Sequence, residues 1–145
     1  MRCSHCGVCC EKTEMLVSNA DIKRLERLGH DCQKFVRYDR HGFAKLRNRH
    51  GVCVFYDAEK CRCQIYRHRP LGCRIYPVIY SEDEGIVVDD LCPAQNTVSE
   101  TELRREGKKL VELLQRIDNE AHTRLSSSCA RRTLQASKEG NVCHP

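Results

Sequence analysis

Apolar positions along this chain are sparse and fall into a few short groups. Ile22, Leu25 and Leu28 recur three residues apart, preceded by Ser18-Asn19 as a cap and by Asp21 in the first turn. That pattern predicts a short helix with one apolar stripe, stopping at Gly29. From Phe35 to Tyr56 the alternation is weak and broken by charged residues and glycine, which predicts short strands such as Val52–Tyr56. Ile75 to Tyr80 and Gly85 to Val88 flank the acidic turn Ser81-Glu82-Asp83-Glu84 and read as a hairpin, with Pro77 limiting where its first strand begins. Ser99 followed by Glu102 is a capping box. Behind it Leu103, Leu110, Leu114, Ile117, Ala121 and Leu125 recur at helical spacing. One long helix is therefore expected over about 100 to 125, and its apolar stripe must cover the rest of the chain or a partner. From Ser126 the tail is polar and basic and is expected to be mobile. No internal repeat is visible.

Composition changes this picture mainly through cysteine. Twelve of the 145 residues are Cys and none is Trp, far more sulfur than core packing uses. Such a density marks either a disulfide framework in a secreted protein or metal ligands in a reducing compartment. Met1 is followed at once by Arg2, Cys3, Ser4 and His5, without the apolar stretch of a signal peptide. Metal ligation in the cytoplasm is the resulting expectation, and no run is long and apolar enough for a membrane span. The formal charge of +5 suggests nucleic acid until the thiolates are counted. Two tetrathiolate sites of about 2− each would leave a net charge of about +1, so a protein partner is favoured over nucleic acid.

Cys3, Cys6, Cys9 and Cys10 lie within eight residues, too close together to be core packing. The spacing Cys-x2-Cys-x2-Cys opens the bacterial ferredoxin motif, and Gly7 gives the loop the freedom to wrap a metal. The fourth ligand of that motif is a Cys before Pro, and Cys92-Pro93 is a candidate, though far from the close ferredoxin spacing. Adjacent Cys9 and Cys10 need not point the same way. A second group comprises Cys53, Cys61, Cys63 and Cys73. Cys32 reads as a small buried apolar residue, whereas Cys61, Cys129 and Cys143 read equally as packing or as ligands. His5 is expected to donate a hydrogen bond to the sulfurs rather than to ligate. His50 and His68 read as surface residues near arginines, and an adventitious chelate is the less favoured reading of Cys143-His144.

Four pieces in order carry a resemblance: Cys3-x2-Cys6-x2-Cys9-Cys10, then Cys63-Gln64-Ile65-Tyr66, then Arg69-Pro70-Leu71-Gly72-Cys73-Arg74-Ile75-Tyr76-Pro77, and finally Cys92-Pro93. Together they resemble the YkgJ-like cysteine-cluster family, a zinc- or iron-chelating domain, over roughly residues 1 to 95. The resemblance implies Cys3, Cys6, Cys9, Cys10, Cys53, Cys63, Cys73 and Cys92 as the metal-binding set, either two four-sulfur sites or one larger assembly. Pro70 and Pro77 would stiffen the loops around Cys73. Arg69 and Arg74 would neutralise thiolate charge, clamp an acidic partner or form structural ion pairs. Tyr66 and Tyr76 read as packing residues. A similar cysteine domain occurs in a flagellin lysine methylase, where an iron-sulfur cluster accompanies methyl transfer. This chain has no Gly-rich loop after a strand, no Cys-x3-Cys-x2-Cys, no phosphate loop and no His-Glu-x-x-His, so it would supply at most the metal module of such a reaction.

The fold class expected is a small irregular α+β metal-stapled domain with short helices, a short hairpin and a long C-terminal helix. Its parts would be a cysteine domain over 1–98, a helix packed on it over 99–125, and a tail over 126–145. The leading functional expectation is an iron-sulfur protein with one or two clusters of the 4Fe-4S type, serving redox chemistry, iron handling or protein modification. The alternative is a structural zinc module presenting a surface for protein or nucleic acid. A third is an enzyme whose metal keeps an open position. The long helix folds back on its own domain in the simplest arrangement and mediates a dimer in another.

Overall fold

Two small apolar cores, one on each side of a short cysteine-bearing helix, organise this protein. The computed structural model describes residues 6–135, with side chains through Ser127 in the last helix. Cys3, His5, Cys143, His144 and the end of the expected tail lie outside the described residues, as does the Cys129 side chain.

The first helix, α1 (Asn19–Arg27), forms as the sequence predicts. The Ser18 hydroxyl accepts from the Asp21 N–H at 3.2 Å, satisfying one of the N-terminal donors that a helix cannot pair internally. At the other end Gly29 adopts φ 98°. The His30 N–H bonds to the Leu25 carbonyl and the Gly29 N–H to the Glu26 carbonyl, the paired bonds of a Schellman stop. Ile22 and Leu25 are buried, whereas Leu28 is left at the surface. A four-residue helix, α2 (Cys32–Phe35), capped by Asp31, leads into antiparallel β1 (Val36–Tyr38) and β2 (Ala44–Leu46).

The weakly alternating stretch then divides into very short pairs. Strand β3 (Asn48–Arg49) pairs with β4 (Val52–Cys53), and β5 (Tyr56–Asp57) pairs with β6 (Arg62–Cys63). The expected strand Val52–Tyr56 is thus split between two hairpins. A five-residue helix, α3 (Leu71–Ile75), occupies the start of the expected hairpin strand. That hairpin proper is β7 (Val78–Ser81) with β8 (Gly85–Val88), in register Val78↔Val88, and its first strand begins after Pro77.

The last helix, α4 (Glu100–Gln135), starts at the predicted capping box: the Ser99 N–H donates to Glu102 Oε2 at 3.1 Å and the Glu102 N–H to Ser99 Oγ at 3.2 Å. It runs past 125, because the residues there include good helix formers such as Ala130, Arg131, Arg132 and Leu134, and three serines alone do not break a helix. Its apolar face packs on α3, β7 and β8, joining Leu110, Leu113 and Ile117 to Ile75 and Val78 in one core. The other core is built from Val17, Leu25, Phe35, Leu46, Phe55 and Ile65 among others, with Cys10, Cys53, Cys63 and Cys73 along its edge. Polar contacts pin the helix as well. Glu120 accepts from the Asn19 N–H at 2.9 Å, and Arg124 donates to the Gly42 carbonyl at 2.8 Å and to the Asn19 side chain.

Gly107 lies mid-helix, where glycine is a poor choice, and the packing explains it. A Cβ there would stand 2.8 Å from Ile86 Cγ2 of β8. Gly107→Ala therefore gains about 1 kcal/mol in helix propensity but loses more through overpacking, about 1–3 kcal/mol. The expected result in urea denaturation is a net loss of stability. Ile117→Ala, at a site 1% exposed, is expected to cost about 2–5 kcal/mol.

Candidate metal centre

Four separate segments bring cysteines to one place. Gly7, in the left-handed region at φ 79°, starts a single 3-10 turn over Val8–Cys10. The turn carries Cys9 and Cys10 to a cavity also lined by Cys53 from β4, Cys63 from β6 and Cys73 from α3. The cavity has about 40 Å³ of internal free space. The rest of its wall is largely apolar, and Cys is the residue type there that commonly ligates metal.

The scaffold around it is held by polar contacts, several of them partly buried. Thr13 exchanges hydrogen bonds with the Asn48 side chain at 2.9 and 3.0 Å, and Lys12 donates to the Gly51 carbonyl at 2.7 Å. These contacts fix the Cys9-Cys10 turn against the strand that carries Cys53. Asp21 of α1, 5% exposed, does the same for Cys73. Its Oδ2 accepts from the Leu71 N–H at 3.0 Å, at the start of α3, while its Oδ1 pairs with Arg24 at 3.0 Å. Arg24 in turn donates to the carbonyls of His68 and Arg69 at 2.9 and 3.0 Å. One partly buried ion pair thereby grips the entry to α3.

The thiols sense one another. The Cys10 thiol donates to the Cys9 sulfur, and that bond, helped by the Arg69 guanidinium and opposed by burial, brings Cys9 down to about 7. Cys10, donating its proton, buried and facing Cys9, Cys53 and Cys63, is held well above the ordinary thiol range. Burial pushes Cys53 up to about 11 against the N–H groups of Phe55 and Tyr56, which donate to its sulfur. Burial and the neighbouring Cys53, Cys9 and Cys63 raise Cys73, with Arg69 opposing. Arg69 is the cationic side chain of this wall. It stacks over Tyr66, 4.0 Å from the ring centroid, and donates to the Cys73 carbonyl at 3.3 Å.

Other predicted residues stand apart from the cavity. Cys6 is exposed, its sulfur accepting from the Val8 N–H at 3.5 Å, and lies near Tyr56. Cys92 is buried in the loop after β8, close to Tyr76, which also senses Cys9. Tyr76 is held well above the ordinary phenol range by burial and by its bond to Asp89 Oδ2 at 2.7 Å. Cys32 packs half-buried on the first core, and Cys61 sits exposed at the β5–β6 turn with φ 49°. His50, His68 and Arg74 are exposed. Thr13 and the Asp21–Arg24 pair have no signal in the sequence beyond a helix-start aspartate, because their partners lie tens of residues away. Among the described residues no three Cys, His, Asp or Glu side chains stand at metal-ligand spacing. The five sulfurs surround the cavity without closing on a point.

A small α+β domain whose cysteines converge from several segments is a cysteine-cluster domain by its architecture. The chain belongs to the CxxCxxCC family, described as "Putative zinc- or iron-chelating domain", whose model matches residues 2–93. It is also similar to an uncharacterized protein of Methanocaldococcus jannaschii, 30% identical over 80 residues that make up 52% of this chain and 43% of that one. The chain thus spans less than half the length of that relative. No solved structure matches.

Asp21→Ala is expected to cost about 1–3 kcal/mol, since it leaves the Leu71 N–H without its acceptor and Arg24 with only its two carbonyl partners. Asp21→Asn is expected to cost less, because its carbonyl oxygen can still accept from Leu71. Urea denaturation of the two variants beside the parent chain measures the difference.

Proposed function

We propose that this domain holds an iron-sulfur cluster in the cysteine cavity and acts as a redox or iron-handling module of the cytoplasm, alone or as the metal module of a protein-modifying system. The observation that carries this reading is the convergence of Cys9, Cys10, Cys53, Cys63 and Cys73 on one cavity. An all-sulfur donor set selects thiophilic metals over those that prefer oxygen ligands. Five sulfurs are one more than either a tetrahedral zinc or a four-iron cluster takes, so the choice of iron rests on the ferredoxin-like spacing of Cys3, Cys6 and Cys9. Cys3, Cys6 and Cys92 are the remaining donors of the proposed set. When bound, the cluster supplies one-electron transfer. The residues of this chain hold it and set its environment. Arg69 offsets thiolate charge. The N–H groups of Phe55 and Tyr56 donate to the Cys53 sulfur, and the apolar wall limits water.

Zinc is the second reading, and the cavity size favours it, since about 40 Å³ accommodates one ion-sized body without rearrangement. In that case the metal is a scaffold and the protein partner binds elsewhere on the surface.

Iron, acid-labile sulfide and zinc, measured per chain after purification without oxygen, separate the two. Iron and sulfide in equal amounts, about four of each per cluster, with a brown colour, is the expected result. Stoichiometric zinc without sulfide in a colourless protein overturns it. Cys53→Ser and Cys73→Ser are each expected to lower the metal content while Cys32→Ser leaves it unchanged.

Metal binding must displace protons, because Cys53, Cys73 and Cys10 have raised values and remain protonated at neutral pH. Binding that releases more than one proton strengthens by more than about tenfold for each unit of pH rise. Competition with a chelator between pH 6 and 8 is expected to show that slope for zinc. A flat profile would mean that these thiols are not the ligands.

A further inference from the structure

A second concavity lies on the outer side of Cys63. It is a cleft of about 670 Å³ between the β5–β6 hairpin and the 3-10 turn Tyr66–His68. Lys60 and Arg62 reach it from the hairpin, Arg67 and His68 from the turn, and Asp57 is its one carboxylate. We propose that this cleft is a binding site for a small polyanion, a molecule carrying two or more phosphate or carboxylate groups.

The backbone that presents the cations is fixed on both sides. Asp57 Oδ1 accepts from the N–H groups of Glu59 and Lys60 at 3.0 and 3.1 Å. Its carboxylate is thereby committed to the hairpin turn. On the other side Arg24 holds the His68 and Arg69 carbonyls. Among the described residues no carboxylate forms an ion pair with Lys60, Arg62, Arg67 or His68, all of which are exposed. Exposed cations with no acid partner among the described residues occur elsewhere as well, such as Arg49 and Lys108, so it is the grouping of several around one cleft that sets residues 60–68 apart.

A single exposed cation binds an anion weakly. Two guanidiniums and an ammonium converging on one cleft offer several charge-assisted contacts to the same ligand, and arginine's planar fork matches phosphate and carboxylate oxygens in pairs. The volume falls within the range of about 300–1,000 Å³ typical of small-molecule sites. Nucleic acid would call for a basic track that follows its backbone, whereas these cations gather within residues 60–68. Cys63 lines both this cleft and the cysteine cavity, so the ligand sits one side chain away from the thiols. Only that neighbourhood rests on the metal reading above; the binding itself does not.

The test is a titration of the full metal-loaded chain with pyrophosphate and, separately, with citrate, by calorimetry and by amide NMR at low ionic strength. Metal content is measured before and after, so that extraction of metal by the anion is read apart from binding. Saturable binding of either anion is expected, with shifts centred on residues 57–68, and the tighter of the two identifies phosphate or carboxylate as the preferred source. Arg62→Ala and Arg67→Ala should each weaken it by about tenfold, while Lys108→Ala on α4 should not. Lack of saturation, equal weakening by Lys108→Ala, or metal loss without shifts at 57–68 would overturn the proposal. So would binding of duplex DNA or poly-glutamate through these residues while both small anions fail.

Discussion

The cost of ionising thiols crowded around one partly buried cavity is the constraint on which this structure turns. Five thiols stand around one small apolar cavity, and no more than a fraction of them can ionise there together without a counter-charge. The folded chain meets that constraint by keeping Cys10, Cys53 and Cys73 protonated, by letting the Cys10 thiol donate to Cys9 and by setting the Arg69 guanidinium alongside. A cation bound there would relieve that constraint far more completely, and its affinity would then be coupled to the stability of this region.

The polar clamps at Thr13 and Asp21 share a design. Each secures a cysteine-bearing segment too short to hold its own shape. Helix α3 has five residues and β4 and β6 have two each, far below the length at which local propensity sustains an element. Their geometry is imposed from outside, by Asp21 on α3 and by Asn48, which pairs opposite Cys53 while holding Thr13. Helix α4 plays a comparable part on the other flank, covering α3 and the β7–β8 hairpin with its apolar stripe.

How far the sequence foretold this depends on the range of the forces involved. The ends of α1 and the start of α4 were legible because Ser18, Gly29, Ser99 and Glu102 act on neighbours within a few residues. The hairpin ending at Val88 was legible for the same reason, and the family could be read from four motif pieces. Helix α3 was not, since Leu71 answers to an aspartate 50 residues earlier and five residues show no period. Nor could the sequence tell that Cys9 and Cys10 face the same cavity, which follows from the tight turn after Gly7. The placement of Cys6 near Tyr56 and of Cys92 near Tyr76, off the cavity wall, is likewise set by tertiary packing rather than by spacing.

The order of the two cores along the chain has a consequence for how the protein is made. All residues of the first core and all five cavity cysteines fall between Cys9 and Cys73, whereas the second core needs α4, which begins at Glu100. At a synthesis rate of about 5–20 residues per second, the cysteine-bearing half precedes the end of that helix by roughly 3 to 12 seconds. During this interval Ile75 and Val78 of the second core lack the α4 residues Leu110, Leu113 and Ile117 that cover them. Until then the faces of α3 and of the β7–β8 hairpin that α4 covers have no apolar partner from that helix.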